Sequence, residues 1–173
     1  MTANLLANVQ PYLDALAQAA DADHASSIVD ETAAARGVFA FTELLHSPAV
    51  QQLKDTPAYS LIELFAFGNW RQWHDNHRKT IPLNAAQELK LRQLSLLSLA
   101  NHSKTLTYAS MQRELGLVST AELESVIIDA FYQEIIQGKL SQARQELALE
   151  SAVGRDVDLA RDLPSLDVTV TAM

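Results

Sequence analysis

Apolar positions follow a helical rhythm through the first half of the chain, surround a leucine-rich stretch near its middle, and become short strand-like runs near its end. Leu5, Leu6, Val9, Leu13 and Leu16 recur at the spacing of one helix face. Pro11 falls among them and predicts a kink or a fresh helix start. Further helices are expected over residues 24–36, ending at Gly37; over 38–46, stopping before Pro48; over 59–67, stopping at Gly68; and over 70–76. Together they predict a helical array over residues 1–83, built from short stacked hairpins.

Asn84 followed by Gln87 is a capping-box pattern, so a helix should start there and fill residues 84–101. Its leucines (Leu89, Leu91, Leu94, Leu96, Leu97 and Leu99) point in almost every direction, whereas a surface helix confines them to a stripe. The economical reading is a connecting helix covered on both sides. Residues 102–156 then give a short helix (108–115), a turn at Gly116, a long helix (120–137) capped by Ser119 with Glu122 and closed by Gly138, and two strands (140–144 and 147–151). That is the layout of a winged helix. On the long helix Leu123, Ile127, Ala130, Phe131 and Ile135 share the expected core face, opposite Glu122, Ser125, Asp129, Gln133 and Gln137. Glu124 and Glu134 fall inside the apolar arc, so either they border a neighbouring helix and pair there or the core face is drawn differently. The fold class is therefore mainly α: a HEAT/TPR-like helical-repeat bundle followed by a winged-helix subdomain with a small antiparallel β wing. Residues 157–173, interrupted by Pro164, are expected to form a flexible tail.

Charge changes the functional reading. The chain has 173 residues and a net charge of −8, and residues 102–156 carry five basic against eight acidic side chains. The long helix holds Glu122, Glu124, Asp129 and Glu134 and no Lys or Arg. A groove-reading helix needs cations to offset phosphate, so a nucleic-acid-binding winged helix is disfavoured and a protein partner is expected. There is no cysteine, and the N-terminus has neither the basic start of a signal peptide nor a membrane-length apolar run. Enzyme motifs such as the P-loop, G-x-G-x-x-G, G-x-S-x-G and H-E-x-x-H are missing, and no catalytic residue or cofactor is expected. His74 and His77 have a spacing that could share a metal, but no third ligand stands near, which favours a solvated helix end. The phenylalanines between 39 and 67 read as core. Trp70 and Trp73, flanked by Asn69, Arg71, Gln72 and His74, are candidate interface aromatics. A small wing leaves a strand edge open to strand addition.

These features together resemble a PCI domain, the fold of scaffold subunits in the proteasome lid, the COP9 signalosome and translation initiation factor three. The segments that carry the likeness are VFAFTELL at 38–45, LIELFAFG at 61–68, LKLRQL at 89–94, SLA at 98–100, ELESVII at 122–128, IIQGKLSQ at 135–142 and GRD at 154–156. Within the fold they are most similar to the subunit 7 family of the signalosome. The resemblance implies a non-catalytic scaffold of the cytoplasm and nucleus. It would sit in a complex whose separate zinc-dependent subunit removes Nedd8 from cullins. It also implies side-by-side joining through winged helices, with subunit 4 as neighbour. By that analogy the contact falls on the wing, at Lys139, Leu140, Gln142, Leu147 and Leu149. Beyond residue 156 the family continues into C-terminal helices, whereas this sequence enters its short tail.

Overall fold

The computed structural model describes residues 5–153, so the expected tail at 157–173 lies outside the described residues. Helix α1 (Leu5–Ala17) runs through Pro11, which takes a solvent-facing position, while Val9 and Leu16 are buried. A fresh helix start at Pro11 is therefore absent: losing one backbone donor on the wet side did not end the helix. Helix α2 (Ala22–Ala34) is started by the Asp21 carboxylate, which accepts from His24 N at 2.8 Å. It ends three residues before Gly37, whose φ of +81° belongs to the following turn.

The expected helix at 38–46 forms only over its second half, and residues 38–41 are irregular chain. Val38, Phe39, Ala40 and Phe41 are consecutive and all buried, so this segment threads the core without an exposed face. An apolar run with no polar interruption carries no periodicity, and the helical reading had nothing to test it against. Only α3 (Thr42–Leu45) and α4 (Pro48–Gln51) remain helical there. Helix α5 (Pro57–Phe67) is capped by Thr56 and stops at Gly68 as expected. The single turn α6 (Trp70–Gln72) opens with a reciprocal Asn69–Gln72 capping box and widens into a π-turn over Trp73–His77.

Helix α7 (Ala85–Ala100) follows the Asn84–Gln87 capping box. It touches α2 and α6 on one side, and the elements of the winged unit on the other. The winged unit consists of β1 (Thr105–Thr107), α8 (Tyr108–Leu115), α9 (Thr120–Tyr132), β2 (Ile136–Ser141) and β3 (Glu146–Ala152), of which α7 meets β1, α8, α9 and β3. One continuous apolar cluster runs from Val9 to Val153 through Leu91, Leu94, Leu96 and Leu97 of α7. The polar side chains that α7 buries each tie it to another element. Gln87 Nε2 donates to Asp30 O at 3.1 Å, Lys90 Nζ to Ala35 O, and Gln93 Nε2 to Asp129 at 2.6 Å. Ser95 Oγ accepts from Trp70 N at 2.8 Å. The half-buried Arg92 donates to Leu115 O at 2.9 Å.

The sheet is antiparallel with the order β1-β3-β2, and β1 was not foreseen. Helix α9 ends at Tyr132 rather than at Gly138, and Glu134 beyond it adopts a left-handed φ of +60°. Gly138 instead lies in β2 at a register shift, where a Cβ would come within 2.4 Å of Ala148 O. That glycine serves strand approach, not helix termination.

Candidate protein-interaction surface

The wing residues separate into edge and interior. Leu149 N donates to Lys104 O and Tyr108 N to Gln145 O, so the odd-numbered residues of β3 point their backbone toward β1. Ala148, opposite Lys139, then points toward β2. By alternation the backbone of Leu140 faces away from the sheet. Among the described residues β2 is an end strand, carrying exposed Lys139 and half-buried Leu140. Gln142 is exposed in the turn after it, and its Nε2 donates to Glu124 at 2.6 Å. The edge placement of Leu147 and Leu149 is corrected. Both sit on the central strand, and Leu147 is fully buried against the core. The sequence showed two strands of three, so it hid which strand lies in the middle.

Trp70 and Trp73 are corrected too. Trp70 is buried between a stacked His74 ring at 4.7 Å and the Arg92 guanidinium at 5.1 Å, and it closes over Gly116. Trp73 is 2% exposed and donates its indole N–H to Ile81 O at 2.6 Å. The polar neighbours that suggested exposure lie on the outer side of the same turn. No group of three or more His, Asp or Glu able to hold a metal occurs among the described residues.

Helix α9 builds the other face of the winged unit. Leu123, Val126, Ile127 and Ala130 are buried, Phe131 is half-buried, and Glu122 and Ser125 are exposed. Asp129 and Gln133, expected to be solvated, belong to a network. Asp129 accepts from Arg36 Nη2 at 2.9 Å, Gln93 Nε2 at 2.6 Å and Gln133 Nε2 at 2.7 Å, while Gln133 Oε1 accepts from Gly37 N. Partial desolvation works against the Asp129 charge, but these donors outweigh it and hold the carboxyl below its usual range. Glu124 meets the wing through Gln142. Burial and the Glu124 carboxylate beside it raise the Tyr108 hydroxyl above its ordinary value. Sequence reasoning assigned no role to Val118, Ile128 and Tyr132, which stand exposed at 96%, 43% and 80%. The available signal was that Ile128 and Tyr132 fit neither the core nor the polar face.

A family model described as PCI domain matches residues 72–150, from the π-turn through α7 and the winged unit into β3. Over 133 residues the chain is 38% identical to COP9 signalosome complex subunit 7 of Drosophila melanogaster, covering 75% of this chain and 48% of that protein. It is 32% identical over 158 residues to subunit 7a of Mus musculus, covering 90% and 57%. The chain is a PCI-domain protein resembling COP9 signalosome subunit 7. This PCI protein is also 32% identical over 134 residues to eukaryotic translation initiation factor 3 subunit M of Neosartorya fischeri, covering 69% of the chain and 28% of the relative. The chain spans about half the length of the subunit 7 relatives it matches. Among its described residues no helix is long and apolar enough to cross a membrane.

Proposed function

We propose that this PCI protein is a non-catalytic scaffold subunit of the COP9 signalosome, the cullin deneddylation complex, working in cytoplasm and nucleus. The observation that carries the reading is the likeness to subunit 7 across three-quarters or more of the chain. In this reading the outer edge of β2, with Lys139, Leu140 and the adjacent Gln142, joins the sheet of a neighbouring PCI subunit by strand addition. Subunit 4 is the proposed neighbour. Buried Leu147 and half-buried Leu149 hold β3 in place behind that edge. A role in translation initiation factor three is the second reading, favoured only by the subunit M relative.

Tagged protein incubated in cell extract and read by mass spectrometry tests this. Signalosome subunits among the captured proteins support the proposal, and initiation-factor subunits in their place support the alternative. Leu140→Pro sharpens the test. Its N–H faces outward, so proline there leaves the β3 ladder intact and removes a donor only from the free edge. The expected result is loss of subunit 4 with a native circular dichroism spectrum; full retention of subunit 4 by the folded variant excludes the β2 edge as the contact.

A further inference from the structure

Three large hydrophobic side chains are exposed among the described residues, and all of them lie on α9 or in the turn leading into it: Val118, Ile128 and Tyr132. Along α9, Ala121, Ser125, Ile128 and Tyr132 follow one another at spacings of four, three and four, which places them on a single face. They line a shallow depression of about 480 Å³ together with Glu124 and Asp129. Tyr132 is also a wall of a second, more polar depression of about 590 Å³, lined by Pro11 and Tyr12 of α1 and by Asn8, Arg36 and Gln133. A monomer seldom gathers its exposed apolar side chains on one element without a use for them.

The charge beside this face is mainly acidic, with the Arg36 guanidinium at its Tyr132 end. Helix α9 carries Glu122, Glu124 and Asp129 and no basic residue. Arg36 compensates Asp129. Glu124 accepts a hydrogen bond from the neutral Gln142 amide and interacts with the neutral Tyr108 hydroxyl, so neither contact compensates its charge, and Glu122 is exposed. We propose that this face docks an amphipathic helix whose apolar stripe packs on Ile128 and Tyr132 and whose flanking positions are Lys or Arg. The stripe has the repeat that a helix laid in a groove reads, and acidic flanks select cationic ones. The site adjoins the β2 edge through the Gln142–Glu124 bond, but its apolar anchors Ile128 and Tyr132 are not residues of that edge, so their substitution tests this proposal separately from the proposed signalosome contact.

The test is an amide NMR titration of the full chain with two synthetic peptides. Both carry the same leucine stripe, one flanked by lysine and the other by glutamate. The lysine peptide should shift Ser125, Ile128 and Tyr132 and bind about tenfold or more tightly than the glutamate peptide, with the gap closing as salt rises. Ile128→Ser with Tyr132→Ser should lower its affinity by about tenfold, the loss expected of a central anchor. If that variant fails to fold, Glu122→Lys with Glu124→Lys keeps the question open to decision, because it should reverse the peptide preference. Equal binding of the two peptides, or shifts confined to β2, overturns the proposal. So do α9 shifts that grow with protein concentration alone, which assign the face to a second copy, and α9 shifts with duplex DNA, which assign it to nucleic acid.

Discussion

Helices α7 and α9 depart from amphipathic patterning in opposite directions. Helix α7 buries Gln87, Lys90, Gln93 and Ser95, while α9 exposes Ile128 and Tyr132. A polar group inside a protein must find its partner there, because its desolvation is otherwise uncompensated. The α7 side chains do so, Gln87 and Lys90 on α2 and its C-cap, Gln93 on α9 and Ser95 on α6. An apolar group outside has no such obligation, and nothing in the described residues covers Ile128 or Tyr132. The lesson is directional: buried polar groups tell which elements are joined within the chain, and exposed apolar groups point to what the chain joins outside it.

Lys90 offers the largest test of that contrast. Its ammonium is buried, lies 5.0 Å from the Phe39 ring and 5.7 Å from Phe41, and bonds Ala35 O. Burial, assisted by Arg36, lowers its pKa from 10.5 to about 7. The folded chain thus releases this proton earlier than the unfolded chain, so the unfolded state binds more protons between about pH 7 and 10.5. Stability from this group therefore rises with pH across that window and is flat below it, by up to about 1.4 kcal/mol per pH unit. Urea unfolding at a series of pH values should show the rise in the natural protein and lose it in Lys90→Met. Equal pH slopes in the two proteins would break the picture of a desolvated α7 cation.

The junction between α6 and α8 comes next. Gly116 has φ +65°, and a Cβ there would approach the Trp70 ring to 2.0 Å. Gly116→Ala combines left-handed strain with overpacking, and thermal or urea unfolding should show a loss of about 2–4 kcal/mol. Asp129→Ala should cost about 1–3 kcal/mol, by leaving the Gln93 and Gln133 donors without their carboxylate. The Asp129 contribution is present above its ordinary pKa of 3.8 and is lost as acid carries the pH below that value through its depressed one. The smallest effect belongs to α9. Ile128→Ser with Tyr132→Ser should change stability by less than about 0.5 kcal/mol per site, the usual range for exposed positions. A large loss on urea unfolding would make these residues part of the fold and would erase the contrast with α7.

Elements with their own start and stop signals were legible from the residues alone. Asn84 with Gln87, Ser119 before Thr120, Gly68 and Gly116 all mark real boundaries. The hairpin itself was legible, but its first strand, expected over 140–144, lies at Ile136–Ser141, which puts Lys139 and Leu140 on the strand and Gln142 in the turn after it. Legibility failed where the deciding neighbour is distant in sequence. The non-helical run Val38–Phe41 depends on the core around it, and the central position of β3 depends on β1, whose partner residues lie some forty positions later. Trp70 and Trp73 looked exposable until Arg92, Gly116 and Ile81 closed on them.

By itself, the sequence determined a mainly helical chain with a capped connecting helix, a winged unit with more acidic than basic residues, and the likeness to a PCI domain. Those follow from spacing, caps and charge, which act over a few residues or sum over many. Only the tertiary structure decided which strand lies at the edge, which tryptophans are buried, and where a lysine is held inside. It also decided which apolar residues of α9 are left over. Burial is a property of what packs against a residue, and the residues that pack here come from opposite ends of the chain.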